Sequence, residues 1–199
     1  MLSIVDIGLG NASSVRNMIQ RLGHDAELRG TPDGLTKDDR YVLPGVGAFD
    51  EGVRRLEASG WFDHLQSMPG TTHILGICLG MQLLGYASEE GCLQGLRRIP
   101  AEFVRFRDAK QVPHMGWNTI SELQADPVFD RSIPGRRYYF SHSYYAVCRD
   151  PEVVVATTDY GGAFTSVYRL GGTLGVQFHP EKSHRFGMSL FTRWLESSC

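Results

Sequence analysis

No stretch of this 199-residue sequence approaches the roughly 20 consecutive apolar residues that a membrane-spanning helix needs. The opening residues, MLSIVDIGLG, place no basic leader before an apolar segment, so they do not read as a secretory signal. Charge of one sign is also lacking: 20 Lys and Arg stand against 22 Asp and Glu, a formal net charge of −2. Nothing in that balance points to nucleic acid or a membrane surface as partner. Cysteine is scarce, and Cys78, Cys92, Cys148 and Cys199 contain no C-x-x-C pair. A disulfide framework is therefore not expected, and a reducing cytoplasm is. None of the seven histidines stands in zinc-type spacing with a cysteine, so no metal is expected. Neither G-x-G-x-x-G nor a P-loop occurs, so no cofactor is expected. Repeats, low-complexity segments and linkers are absent too, and residues 1–199 read as one domain.

What is present over residues 1–90 is an alternation of short apolar runs with amphipathic ones. LSIVDI (2–7) ends at Gly8 and reads as a buried strand. Asn11 or Ser13 is placed to cap a helix whose Val15, Met18, Ile19 and Leu22 follow helical spacing, with Gly23 closing it. DAELRG reads as a second strand, and YVLPGVGAF (41–49) as a strand that stops at Pro44 and enters a glycine-rich turn. A helical stretch follows with Val53, Leu56 and Trp61 on one side, then HILGI (73–77) as the next strand. Such alternation argues for an α/β fold with parallel strand order. Later, EFVRF, RRYYFSHSYYAV, EVVVATTDY, FTSVYRL and TLGVQF are strand-like runs with little helix between them, read as an antiparallel or mixed extension of the same sheet. Residues 184–196 repeat Phe186, Leu190, Phe191, Trp194 and Leu195 as an amphipathic closing helix would.

Three stretches carry candidate chemistry. In LGICLGMQLL (75–84), Gly76 and Gly80 flank Cys78 symmetrically. A strand that turns directly into a helix holds the residue at the bend in a strained conformation with its side chain standing clear, and it needs small neighbours to do so. This is the logic of the G-x-S-x-G nucleophile elbow with sulfur in place of oxygen. A helix beginning near Leu79 would favour a thiolate, and the Leu79 N–H would be placed to donate to an oxyanion. The bland alternative is a buried core cysteine. In GVQFHPEKS (175–183), His179 and Glu181 project to one side of an extended segment, as a base held by a carboxylate would. Its bland alternative is a surface turn. In LPGVGAF, the Val46–Gly47 peptide offers a second oxyanion donor, although many simple turns share P-G-x-G. Taken together, the three supply a nucleophile, an oriented base and two backbone donors, the parts of acyl transfer through a thioester.

GICLGMQLL with FHPEKS resembles the class I, or triad, glutamine amidotransferases. DIGLGNASSV, LPGVGAF, PHMGWN (113–118) and FSHSYY (140–145) narrow the resemblance to the HisH family, the glutaminase subunits of imidazole glycerol phosphate synthase, from residue 3 to about residue 195. The resemblance implies a flavodoxin-like, mixed and mainly parallel sheet flanked by helices, with antiparallel additions in the second half. It implies Cys78 as nucleophile, His179 as general acid and base, and Glu181 as orienting carboxylate, with Val46, Gly47 and Leu79 forming the oxyanion hole. Gln82, Ser143 and Tyr144 would hold the amino-acid end of glutamine. Asn11, His114, Met115, Trp117, Asn118 and Lys182 would face a HisF-like (β/α)₈-barrel cyclase in a heterodimer, and His142 would lie near the site outside the triad.

Three departures bear on the pathway and leave the triad intact. Ile7 and Ser141 stand where family members commonly carry tyrosine and valine, and EKSHRFGM resembles paralogues that feed amidino-sugar formation in surface polysaccharides. Histidine biosynthesis is the first expectation and sugar amidination the second. A non-catalytic docking subunit and a free-standing cysteine hydrolase are alternatives of other classes. The intact triad residues argue against the former, and PHMGWN against the latter.

Overall fold

The protein is described by a computed structural model covering residues 1–37, 39–109 and 111–197; Cys199 lies outside the described residues. The strands are β1 (Leu2–Val5), β2 (Glu27–Arg29), β3 (Arg40–Gly45), β4 (Ile74–Cys78), β5 (Ala87–Ser88), β6 (Ala101–Arg105), β7 (His114–Thr119), β8 (Ser121–Glu122), β9 (Arg137–His142), β10 (Tyr144–Cys148), β11 (Val154–Asp159), β12 (Ala163–Leu170) and β13 (Thr173–Val176). The helices are α1 (Ala12–Arg21), α2 (Phe49–Ala58), α3 (Trp61–Ser67), α4 (Leu79–Leu83) and α5 (His184–Glu196). Among the described residues, one sheet runs in the order β2-β1-β3-β4-β13-β12-β10-β6-β5, with β11 and β8 branching from β12.

The first five strands of that path are parallel, in the order of a flavodoxin-type doubly wound sheet. β12 and β10 then join antiparallel, as does β6, so the mixed extension expected from the second half is present. Side chains alternate faces along each parallel strand. Leu2, Ile4, Val42, Leu75, Ile77, Leu174 and Val176 pack on the face covered by α1 and α5. Val5, Tyr41, Leu43 and Ile74 pack on the opposite face, against α2, α3 and α4. No helix among the described residues is long and apolar enough to cross a membrane.

Three local expectations are corrected. β3 does not stop at Pro44 but continues to Gly45, in register with Cys78. Its pairing with β1 has ended at Val42, so a residue without an N–H is tolerated there. The stretch containing Val53, Leu56 and Trp61 is two helices, broken at Gly60, whose φ of 78° ends one helix and starts the next. RRYYFSHSYYAV is not one run. It divides at Ser143 into β10, in the main sheet, and β9, which pairs with β7 in a separate two-stranded antiparallel sheet. That separate two-stranded sheet forms one side of the site described below.

The first helix starts where the sequence places its cap: the Asn11 side chain accepts from the Ser14 N–H at 3.0 Å. Asn11→Ala is expected to lower stability by about 1 kcal/mol. Thermal denaturation should read this as a midpoint lower by roughly 2–4 °C.

Candidate active site

β4 passes into α4 without a loop, and Cys78 is the residue at the corner, with φ 53° and ψ −107°. A side chain held at positive φ costs of order 1–3 kcal/mol and persists only where the surroundings enforce it. The surroundings here are backbone pressed on backbone. A Cβ on Gly80 would lie 1.7 Å from the Leu43 carbonyl oxygen, and one on Gly76 would lie 2.7 Å from the Gly80 carbonyl oxygen. The two flanking glycines are therefore there for close approach, one against β3 and one beneath the first turn of α4. The thiol itself is 5% exposed. Buried as it is, it forms part of the wall of an open cleft of about 170 Å³, shared with Val46, Gly47, Leu79, Gln82, Ser143 and Tyr144.

His179 reaches Cys78 from the end of β13. Its Nδ1 lies 2.8 Å from Glu181 Oε1, and the Cys78 side chain is near enough to act on the charge of the ring, while Cys78 Sγ itself donates towards the Ser141 carbonyl at 3.8 Å. The expected extended segment is not what sets this geometry. β13 ends at Val176 and residues Pro180–Lys182 form a 3₁₀ turn, so the carboxylate curls back onto the ring. The turn is fixed on both sides: the His179 N–H donates to the Tyr139 carbonyl at 2.8 Å, and Ser183 Oγ donates to the His179 carbonyl at 2.6 Å. Burial disfavours charge on the His179 ring, but its interactions with Cys78 and Glu181 outweigh that and push its pKa up to about 10. The ring is thus held as an imidazolium between a sulfur and a carboxylate.

Two residues, Glu90 in the cleft wall and buried Gln177 behind Cys78, are not among those the sequence singles out. Glu90 lines the cleft and accepts from the Phe49 N–H at 2.8 Å; nothing in its local sequence marks it. Gln177 donates through Nε2 towards Cys78 Sγ at 3.8 Å. It stands two residues before His179, so the period-2 argument that paired His179 with Glu181 could have found it. Among the described residues, no group of three or more His, Cys, Asp or Glu is placed to hold a metal ion.

The β7–β9 hairpin borders the cleft. Met115 pairs with Ser141 and Trp117 with Tyr139, and Ser141 lines the cleft, so these residues share one face. Met115 and Trp117 are 62% and 42% exposed on it. Trp117 stacks on His184 with centroids 5.5 Å apart, and exposed Lys182 sits 5.7 Å from the Tyr139 ring centre. Asn11 is exposed at the head of α1. His114 and Asn118 do not join this outward face. Strand alternation turns them inward, where His114 is 3% exposed and stacked on Phe140 and Tyr160. Asn118 is half-buried, with its Nδ2 donating to the Asp159 carbonyl at 3.0 Å. The two belong to the strand expected to face a partner, with their own side chains on its inner side.

The family model for glutamine amidotransferase class-I matches residues 3–196. An imidazole glycerol phosphate synthase subunit HisH 2 from Methanococcus maripaludis is 42% identical over 202 residues, which is 100% of both chains. A protein of the same name from Pseudomonas aeruginosa is 42% identical over 200 residues, covering 98% of this chain and 99% of its own. Among solved structures, a crystal structure of a glutamine amidotransferase superposes with a TM-score of 0.67 over 98% of each chain. At 19% identity that last match speaks for the fold alone.

Proposed function

The chain belongs to the class I glutamine amidotransferases and, within them, to the HisH subunits of imidazole glycerol phosphate synthase, and we propose on that basis that it splits glutamine into glutamate and ammonia for a separate synthase subunit of histidine biosynthesis. The observation that carries this reading is the buried His179–Glu181 pair beside Cys78, with the sulfur at a strained corner on the wall of a cleft.

In the proposed reaction the Cys78 thiolate attacks the side-chain amide carbon of glutamine. The carbonyl oxygen takes up the negative charge and is met by the Leu79 N–H and the Val46–Gly47 peptide; each such donor is worth about 2.7–4 kcal/mol. The His179 imidazolium gives its proton to the amide nitrogen, the C–N bond breaks, and ammonia leaves a γ-glutamyl thioester. The ring, now neutral, takes a proton from water, whose oxygen attacks the thioester and expels the thiolate as glutamate forms. Gln82 and the Ser143–Tyr144 turn hold the amino-acid end, and Glu90, the carboxylate in the cleft wall, is suited to the substrate's ammonium group.

Ammonia released into water becomes ammonium and loses the lone pair it needs, so a dry route to the acceptor site is required. The partner in this reading is a HisF-like (β/α)₈ barrel docked on the outward face of β7–β9, in the cytoplasm. Exposed Met115 and Trp117 are suited to anchor it, with Lys182 and Asn11 at the rim. Gly47 sits at φ 128°, and a glycine there leaves the Val46–Gly47 peptide free of the side-chain barrier to turning, so that the second oxyanion donor is set in the complex. Glutamate production by the purified chain, measured with and without a HisF-type subunit and its nucleotide substrate, tests the reading. The expected result is slow hydrolysis alone and a large increase with the loaded partner. Full activity without any partner would remove the docking proposal. Ammonia transfer to an amidino-sugar synthase but not to the barrel would move the chain to the surface-polysaccharide pathway.

A pH profile tests the triad. The imidazolium is present up to its pKa of about 10, so activity that needs it is lost only as pH rises through that value. Glu181→Gln removes a charge that favours the protonated ring, so the alkaline limb should move to lower pH. At neutral pH, kcat should fall by about 10²-fold.

A further inference from the structure

His114 and His142 face each other across the β7–β9 hairpin, on the side away from the exposed Met115 and Trp117. Their rings belong to a hydrogen-bond chain whose proton order has one solution. His142 Nδ1 lies 2.7 Å from the Tyr144 carbonyl. A carbonyl only accepts, so Nδ1 carries the proton. On a neutral ring Nε2 is then an acceptor, and it faces His114 Nδ1 at 3.1 Å, which must donate. His114 Nε2 is left to accept, and it faces Asn118 Nδ2 at 3.3 Å. The Asn118 amide is oriented independently: its Nδ2 donates to the Asp159 carbonyl and its Oδ1 accepts from the Thr119 N–H at 2.8 Å.

Both rings are kept neutral by burial, which pushes His114 down to about 4 and His142 to about 3, the latter helped by the nearby charge of His179. Protonating His142 would turn Nε2 into a donor. His114 Nδ1 would have to accept, its Nε2–H would meet the Asn118 amino group, and the link to Asn118 would fail. The far end of the chain is the Ser143–Tyr144 turn of the cleft wall, whose other carbonyl, on Ser143, is held by the Phe106 N–H at 3.1 Å.

We propose that His114 and His142 are positioning residues for glutamine binding: the one-way chain from Asn118 through both rings to the Tyr144 carbonyl fixes the Ser143–Tyr144 turn and ties it to the strand that carries Met115 and Trp117. This rests on the glutaminase reading for its consequence, though the chain itself is a matter of geometry. His114 does not itself line the cleft and reaches its wall only through His142, which makes it the position to change.

His114→Phe keeps the aromatic slot between Phe140 and Tyr160 and removes both nitrogens. It should raise the KM for glutamine about tenfold, the scale of one lost buried hydrogen bond, with kcat changed by less than about threefold. His114→Gln, which again offers a donor and an acceptor, should return KM to within about threefold of the parent. Parental KM in His114→Phe, or equal losses in the two variants, would overturn the proposal. A second measurement needs no substitution: long-range proton–nitrogen spectra of the parent should show His114 and His142 both as the Nδ1–H tautomer, with neither titrating near neutral pH. An Nε2–H tautomer at either ring would break the chain and the proposal with it. A parent that splits no glutamine under any condition would count against the glutaminase reading, and the spectra would still judge the chain.

Discussion

Cys78→Ser should abolish glutamine hydrolysis, with kcat lower by about 10⁴-fold or more, while leaving the fold in place. Oxygen for sulfur is close to isosteric, and the strained corner at φ 53° is enforced by neighbours the substitution does not touch. The loss is chemical. A serine hydroxyl must give up its proton as it attacks, whereas the His179 ring is already held protonated, up to about pH 10, by the groups around it. A ring already held as an imidazolium is no vacant base for an alcohol. The measurement is glutamate formation in the presence of the synthase partner, together with the thermal midpoint and partner affinity of the variant, both expected to match the parent. Activity retained above about a tenth of the parental value would mean that the sulfur is not the attacking atom.

The triad was legible because each of its signals is local. Paired glycines around one cysteine describe a bend, and His179 with Glu181 two residues on describes a ring and its carboxylate. Even there the contact has a different origin from the one alternation implies, since a 3₁₀ turn rather than a strand brings the pair to 2.8 Å. What the sequence left hidden depends on contacts between distant segments. The apolar and aromatic pattern of RRYYFSHSYYAV continues straight through Ser143, and only the bonds from His142 to Tyr144 and from Phe106 to Ser143 show where the chain leaves one sheet for another. PHMGWN resembles a partner-facing strand as a block, and its own alternation assigns Met115 and Trp117 to one side and His114 and Asn118 to the other. Gly60 was a visible stop signal between two helices. Glu90 had no signal, because its place in the cleft is set by where α2 begins, far back along the chain.

Gly80→Ala should be the most damaging single methyl group in the site. Its Cβ would stand 1.7 Å from the Leu43 carbonyl oxygen and 2.7 Å from the carbonyl carbon, and these are backbone atoms that no rotamer change can move. β3 is paired on β4 over the length of the contact, so relief requires separating α4 from the sheet. The cost should be about 3 kcal/mol or more, at the upper end of overpacking effects, lowering the thermal midpoint by roughly 6 °C or more. Activity should fall further than stability alone explains. α4 carries the Leu79 N–H and begins at Cys78, so a shift of about 1 Å there misplaces both the nucleophile and an oxyanion donor, a displacement worth about 10²-fold. Gly70→Ala is the matched control: nothing lies within 4 Å of its Cβ position, and its effect should stay within about 0.5 kcal/mol. If Gly80→Ala melted and turned over like Gly70→Ala, the close approach of α4 to β3 would not exist in solution. The elbow would then lose the contact that forces Cys78 into its corner, and the strained thiol would need another cause.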